Sequence, residues 1–481
     1  MQKIHASYII VFFAIGTIIG AIIVAIVHTA IFSSIIWLFS ALVLLLFALI
    51  SSRRFSTVLA LSSGIILILF RASPAFISQD YVSQIIGSTI TISGTVSKDP
   101  EESNGKYNLK LTNLKQVTGK ETVSLSGTLF IQVTTTDLQR SDQVTISGEL
   151  SAGFGSFLAT IYRPEIRSIN RPTPGDIFLT IRNFFAEKIK QYIPAPQHGL
   201  ALGYLLGQKT GVDQTFQETL QLIGLTHIIV ASGAHLSTLT SFARKIFGKL
   251  SRFASFLVAI SATLFFIGIT GLSASMLRAG LVSGLSLLLW YFGREIHPLR
   301  LIILVAAVTL AYNPFYLTEL AWLLSFLSFS AILVVSPALT KFLYGKDRKP
   351  SFVSSTLISS FSAAFLTAPV LLYFFGQISF ISIFANLLIL PTVSIAMGLT
   401  FLTGISAIII PPIAGLIGRI TQAVLDYQIS VANFFGEQKQ FLLAIEPNNA
   451  FVFLLYVPPA VVIITTLIYQ KRKRQKVPKT T

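Results

Sequence analysis

From Ile4 to Ser52 the chain carries no Lys, Arg, Asp or Glu, and the same holds from Ser351 to Gly418. One membrane-crossing helix needs about 20 consecutive apolar residues, so each run is long enough for more than one crossing. Over the 481 residues, 53% are apolar and 11% are charged, whereas a soluble domain is about 25% charged. The fold class this dictates is a polytopic α-helical membrane protein. The same figures exclude a disordered chain, a coiled coil and a fibrous protein. With no cysteine, disulfides, thiolate zinc sites and iron–sulfur clusters are excluded as well.

Three apolar segments open the chain, near Tyr8–Val27, Ile31–Ile50 and Ser56–Phe70. The first is too long, and too closely followed by the second, to read as a cleaved signal peptide. Lys3 precedes it, and Arg53 and Arg54 separate the second from the third. Basic clusters stay in the cytoplasm, so the third span leads outward, and residues 1–71 are expected to form a three-helix membrane segment. Ala72 to Pro172 differs in kind. Polar and apolar residues alternate at Thr89–Ile92, Leu109–Leu111, Val123–Val133 and Val144–Ile146, which is the period of a strand. Asn104-Gly105 adds a hairpin signal. Roughly five or six strands without an intervening helix fit a small extracytoplasmic all-β barrel of the OB type over residues 72–172. This stretch holds nine basic and nine acidic residues, so the net charge of +17 belongs to the rest of the chain. Inward-facing basic loops are its simplest source there.

Residues 173–223 read as interfacial. Ile177, Ile181, Phe184, Phe185 and Ile189 share one side of a helix while Arg182, Lys188 and Lys190 lie elsewhere, as in a helix lying in the membrane plane. Two short helices follow, near Gly199–Gly207 and Gln214–Ile223. Residues 224–470 hold about nine more apolar segments, near 225–243, 253–272, 275–292, 299–312, 317–340, 352–375, 381–410, 413–435 and 450–469. Residues 471–481 are a basic tail. The total is about 12 spans, within a range of about 10–13, with both termini cytoplasmic. Segment 381–410 is long and interrupted by Pro391, so it is expected to be broken or re-entrant.

One span is unusual. Between Gly224 and Ser237 lie Thr226, His227, Ser232, Gly233 and His235. Polar groups at membrane depth are costly and should face a bundle interior or an aqueous path. Structurally, such histidines can make interhelical hydrogen bonds, and Gly233 can allow close helix packing. Three functional readings compete. Ala231-Ser232-Gly233-Ala234 resembles the serine motif of rhomboid-type intramembrane proteases, but a nucleophile needs a base within reach. His235 on the same helix is poorly placed for that. Zinc is a second reading, yet His227 and His235 are eight residues apart with no carboxylate nearby. The third is a polar lining for a translocation path. Gly203 to Thr210 fails as a phosphate loop because Gln208 stands where glycine is required. Further intramembrane polar residues are Arg278, Glu319 as its possible partner, Gln377 and Asn386 near Pro391, and the pair Arg419 and Asp426.

Taken in order, these pieces resemble the ComEC family of competence proteins, which form an inner-membrane channel for DNA uptake. The resemblance rests on Gly207-Gln208-Lys209-Thr210-Gly211, on Gly224-Leu225-Thr226-His227 through Ser232-Gly233-Ala234-His235, and on Leu277-Arg278-Ala279-Gly280. It continues with Asn313-Pro314, Leu324-Ser325-Phe326, Tyr373 to Gln377, and Ala385-Asn386-Leu387-Leu388 with Pro391. Ala234 departs from the family's usual Leu. The metallo-β-lactamase-like domain of longer members is not matched, because no His-x-His-x-Asp-His cluster occurs here. Strand degradation is therefore not carried over.

The resemblance implies a path for single-stranded DNA lined by Lys209, His227, Ser232, Gly233, His235, Arg278, Gln377 and Asn386, with helix breaks at Gly224, Pro314 and Pro391. It implies no catalytic residue, metal or cofactor. Moving each phosphate against an inside-negative potential costs about 2.3 kcal/mol per 100 mV, and the sequence has no nucleotide motif. The expected partners are therefore a cytoplasmic helicase or translocase motor and an external DNA receptor. A transporter for a small or lipid-linked solute is the alternative, and a serine protease using Ser232 stands behind it.

Overall fold

The computed structural model describes residues 6–444, except 28–30, 52, 104, 119–120, 135–136, 209–210, 230, 250, 346–349, 380 and 439–441. The span expected at 450–469 and the basic tail lie outside the described residues. Three helices come first: α1 (Ala6–Ile26), α2 (Ile35–Ile50) and α3 (Arg53–Gln84). Gly16 and Gly20 lie on one face of α1 and let α3 approach closely. A Cβ on Gly16 would lie 2.1 Å from the Leu61 carbonyl oxygen, and one on Gly64 would lie 2.3 Å from that of Phe13. Small residues at such spacing drive helix association where lipid removes the hydrophobic incentive. Helix α3 runs 32 residues, well past the Phe70 expected from hydropathy. Its last turns bury Phe76 and Val82, and Val82 packs into the sheet that follows. Residues 72–84, expected in the β-domain, belong to this helical extension.

Among the described residues that sheet has nine strands, more than the sequence periodicity suggested. They are β1 (Thr89–Val96), β2 (Glu101–Ser103), β3 (Lys106–Thr118), β4 (Glu121–Leu125), β5 (Leu129–Val133), β6 (Gln143–Glu149), β7 (Ser151–Ala152), β8 (Ala159–Tyr162) and β9 (Glu165–Asn170). The order is β7-β8-β5-β3-β1-β6-β9, with β2 and β4 added to β3. Strands β5 and β8 pair in parallel, and β1 pairs antiparallel with both β3 and β6. Burial alternates along β1 and β5, so Ile92, Leu109, Leu129, Ile131 and Ile146 fill one core.

Two arginines bolt this sheet to the helices. Arg140 pairs with Asp176 at 2.8 Å and donates to the carbonyls of Gly268 and Ile269 at 3.0 and 3.2 Å. Arg182 grips Asp99 with two bonds of 2.5 and 2.9 Å. Burial pushes the Asp176 carboxyl up. The Leu179 amide, the Arg140 cation and the Ser141 hydroxyl outweigh it and hold the group below the usual carboxylate range.

The remaining helices are α4 (Ile177–Lys190), α5 (Gln197–Leu206), α6 (Gln214–Leu222), α7 (Thr226–Ile229), α8 (Gly233–Phe247), α9 (Arg252–Thr270), α10 (Ala274–Tyr291), α11 (Pro298–Tyr312), α12 (Leu320–Ser330), α13 (Ser336–Tyr344), α14 (Phe352–Phe375), α15 (Ser382–Ile409) and α16 (Pro411–Gly436). A π-helical turn, Ala331–Val335, joins α12 to α13. After α14, β10 (Gln377–Ser379) pairs with β11 (Leu442–Ala444). Among the described residues, 7 helices are long and apolar enough to cross a membrane, while Ile35–Ile50 and Pro298–Tyr312 are shorter apolar helices. Large apolar side chains such as Phe39, Leu264, Phe401 and Ile409 are exposed on them, as lipid-facing surfaces require. The protein is thus a mostly helical membrane protein with a small β-sheet domain.

Three expectations change. The segment 225–243 is not one span but the short α7 and the separate α8. The segment 381–410 is one unbroken helix of 28 residues with Pro391 inside it. Proline is tolerated at membrane depth where neighbours attend the freed backbone. Pro391 frees the Leu387 carbonyl, and beside it the hydroxyls of Thr392 and Tyr427 reach the carbonyls of Ile389 and Leu388 at 2.8 and 3.5 Å. On α4, Ile177, Ile181 and Phe184 form an exposed apolar face, and Arg182 turns inward to Asp99.

Candidate functional site

The break between α7 and α8 is where the costly polar residues meet. Gly224 ends the preceding turn with φ +71°, a conformation that suits glycine. A side chain there would also press on Ser382, whose Cβ lies 3.2 Å from the position of a Gly224 Cβ. The chain then makes the four residues of α7 and leaves the helix. Ser232 is extended, at φ −128° and ψ 169°, and caps α8. Its amide donates to His235 Nδ1 at 3.1 Å, and its Oγ lies 3.0 Å from the same atom. This reciprocal cap explains why a serine and a histidine stand three residues apart. Sequence spacing alone placed them on one helix face. The cap instead turns His235 back toward Ser232.

His235 is 3% exposed. Because Nδ1 accepts from the Ser232 amide, the proton of the neutral ring sits on Nε2, which is buried without a hydrogen-bond partner among the described residues. The ring stacks on Tyr204 of α5, with centroids 5.8 Å apart. Tyr204 donates to Gln428 Oε1 at 3.0 Å, and Gln428 Nε2 donates to Thr392 Oγ1 at 2.8 Å. A polar chain thus links α8, α5, α16 and α15 through the largest apolar core of the membrane part.

Arg278 of α10 closes the other side. Its Nη2 lies 3.2 Å from the position of a Gly233 Cβ, so the glycine makes room for the guanidinium beside the first amides of α8. Nε donates to Ser325 Oγ at 2.6 Å, and Ser325 donates in turn to Ser275 at 3.3 Å. The guanidinium carbon stands 5.0 Å from the centre of the Phe329 ring. Arg278 is 9% exposed. Its partners are these hydroxyls and this ring, and not Glu319, which precedes α12 at its N-cap. A cation beside a helix start is an arrangement that suits an anion.

The structure therefore brings Ser232, Gly233, His235 and Arg278 together. His227 is exposed beside them, bonded to the Gly224 backbone and within electrostatic reach of His235. Asn386 lies one turn beyond Ser382, with a buried Oδ1 that finds no partner among the described residues. Gln377 stands apart on β10. Pro314 opens a single 3-10 turn, Pro314–Thr318, after α11. Lys209 lies outside the described residues. Tyr204, Gln428, Thr392, Ser325 and Phe329 are contacts that sequence reasoning did not single out as a site. Gln428 was within reach of the same criterion, being a buried amide in an apolar helix. Among the described residues no cluster of three or more His, Asp or Glu could hold a metal.

A family model described as "Competence protein" matches residues 204–472, a stretch that begins at Tyr204 and includes this whole site. ComE operon protein 3 of Bacillus subtilis (strain 168) is 28% identical over 265 residues, which cover 53% of this chain and 32% of that protein. This chain thus matches about a third of that relative's length. No solved structure matches. With the family match spanning more than half of the sequence, the chain belongs to the ComEC family of competence proteins.

Proposed function

We propose that this protein conducts single-stranded DNA across the cytoplasmic membrane during DNA uptake. The observation that carries this reading is the α7–α8 break, which sets the amides at the start of α8 beside the buried Arg278 guanidinium. Half-helix N-termini at broken helices are how membrane proteins receive anionic groups within the bilayer. A strand of phosphates is a succession of such groups. With Arg278 and His235 buried, the described conformation is the closed one, and passage requires α8 to part from α10 and α12. His227, Thr226 and Ser237, exposed along the break, line the entry. Asn386 borders it from α15.

The Ser232–His235 contact would otherwise suggest a hydrolase. Its Nδ1 is already taken by the cap, and among the described residues no carboxylate orients the ring, so we assign it no bond-making role. The strand order of the sheet, with β8-β5-β3-β1-β6 in sequence and β5 parallel to β8, supports an OB-type barrel. The ends of α3 and α9 that touch the sheet are opposite to the ends that carry Arg53 and Arg252. By the positive-inside rule the sheet is extracytoplasmic and the basic loops are cytoplasmic. Energy for transport then comes from a cytoplasmic motor, and an external receptor delivers the DNA.

The test is deletion of the gene, with labelled DNA scored separately at the surface and in the cytoplasm. Loss of cytoplasmic label with surface label retained is the expected result. Normal cytoplasmic label in the deletion strain would overturn the reading.

A further inference from the structure

At the end of α9 away from the sheet, cations gather without acids. Between Glu218 and Glu319 the sequence has seven basic residues and one acidic residue, Glu295. Five of the basic ones, Arg244, Lys245, Lys249, Arg252 and Arg294, stand at or just past the ends of α8, α9 and α10. All five are exposed, and none forms an ion pair among the described residues. Trp290, in the last turn of α10, gathers two of them. The guanidinium carbons of Arg244 and Arg252 lie 4.4 and 5.2 Å from the centre of its ring, and Arg252 donates to the Trp290 carbonyl. Like charges held this close repel. The indole offsets part of that repulsion, and an anion between the two guanidiniums would offset the rest. Directly along α9 from Arg252 runs an apolar stripe. Phe253, Leu257 and Leu264 share one face of the helix and are exposed. Tyr291 borders the stripe, 6.3 Å from Phe253 and 4.9 Å from Phe256 between ring centres. Helix α9 is long and apolar enough to cross a membrane, so Arg252, its first residue, stands at headgroup depth.

We propose that this corner binds the headgroup phosphate of an anionic phospholipid. Arg244 and Arg252 form the fork that holds it, and the stripe on α9 lies under its acyl chains. Basic pockets between membrane helices take lipid headgroups in this way, and the planar donors of a guanidinium match a phosphate. The same chemistry sets two other anions aside. A soluble phosphate would gain nothing from the apolar stripe. A DNA strand stacks its bases on open rings, and the Trp290 indole is already engaged by two guanidiniums. The leaflet, cytoplasmic, follows from the orientation proposed above, whereas the site itself does not depend on DNA uptake.

The chain has three tryptophans, so Trp37→Phe/Trp322→Phe leaves Trp290 as the one indole. The full chain is placed in phosphatidylcholine nanodiscs, which expose both faces, with about one lipid in ten replaced by phosphatidylglycerol. Bromines near the carboxyl end of the acyl chains, on one lipid or the other, report contact by quenching Trp290. Quenching should correspond to phosphatidylglycerol enriched roughly tenfold beside the indole. Arg244→Gln/Arg252→Gln should bring that enrichment down to about twofold or less. Arg300→Gln, which removes a cation from α11, should leave it unchanged. Excess inorganic phosphate or oligo(dT) should leave it unchanged too. Displacement by either would assign the corner to a soluble anion or to the strand, and would overturn the proposal. Because the tryptophan and arginine variants can misfold, a photoactivatable phosphatidylglycerol is also crosslinked to the unaltered chain and the adducts mapped. Adducts within residues 242–257 or 288–294 support the site. Equal quenching by the two lipids, a preference that survives the double arginine variant, or adducts confined to other segments would each overturn it. None of these outcomes bears on the deletion experiment, whose failure would sink the uptake reading alone.

Discussion

Arg278 meets Ser325 and Phe329 on α12 and lies beside Gly233 on α8, and each contact uses the planar guanidinium. Lysine cannot reproduce that pattern. Arg278→Met and Arg278→Lys should therefore both lower cytoplasmic DNA uptake at least tenfold while protein abundance, measured by immunoblot, stays within about twofold. Ser232→Ala is the contrasting case. It removes a cap hydroxyl at a cost of about 1 kcal/mol, but the Ser232 amide still bonds His235, so uptake should persist. Total loss of function in that variant, with normal abundance, would revive the nucleophile reading. The cost of polar groups in a membrane was enough to pick out Ser232, His235 and Arg278 from the sequence. It did not show how they meet. The extended backbone of Ser232 depends on tertiary contacts, with Gly224 against α15 and Gly233 against Arg278, that no local pattern encodes.

At the scale of elements, most long helices were legible from apolar runs, and α9, α10 and α14 fall within a few residues of where hydropathy put them. The misreadings have physical causes. Pro391 sits mid-helix, and hydroxyls of Thr392 and Tyr427 bond the carbonyls next to the one it frees. Helix α3 continues into polar sequence because the helices around Phe315 pack Phe76 and the sheet packs Val82. The α1–α3 contact gives a direct check. Gly16→Val would drive a methyl-bearing carbon into the Leu61 backbone and should sharply reduce the yield of folded protein in a detergent-stability assay. Gly415→Val, whose Cβ meets nothing within 4 Å, should not. The Arg182–Asp99 clamp gives another. Asp99→Ala strands a buried guanidinium, and breaking a buried pair costs about 3–5 kcal/mol. Asp99 is 31% exposed, so a loss nearer about 2 kcal/mol is expected, largely recovered in the Arg182→Met/Asp99→Ala double variant. Acid should loosen the neighbouring joint. The Asp176 carboxyl titrates lower in the folded protein than in the unfolded chain. Its contribution is therefore present above the ordinary carboxylate pKa of about 3.9 and is lost as pH falls through its depressed folded value. Limited proteolysis between the sheet and α4 should stay flat from neutral pH down to about pH 4 and rise below it. Asp176→Asn should flatten that acid-induced rise.

For the whole molecule, the sequence carried the class, the family and the presence of a small β domain. Alternation of apolar residues gave the strands of that domain but undercounted them, since β2 and β7 are short additions with little periodicity of their own and the run Val123–Val133 holds parts of two strands, β4 and β5. The match to the competence family begins at Tyr204, so the sheet lies outside it. Function turns on the path through the helices. The chain has no cysteine, which allows a clean measurement. Single cysteines placed at His227, Ser237 or, as a lipid-facing control, Ile395 can carry a photo-crosslinker in cells importing a radiolabelled strand. DNA adducts are expected at 227 and 237 during transfer and none at 395. Equal labelling at all three positions, or labelling at none while import proceeds, would contradict it.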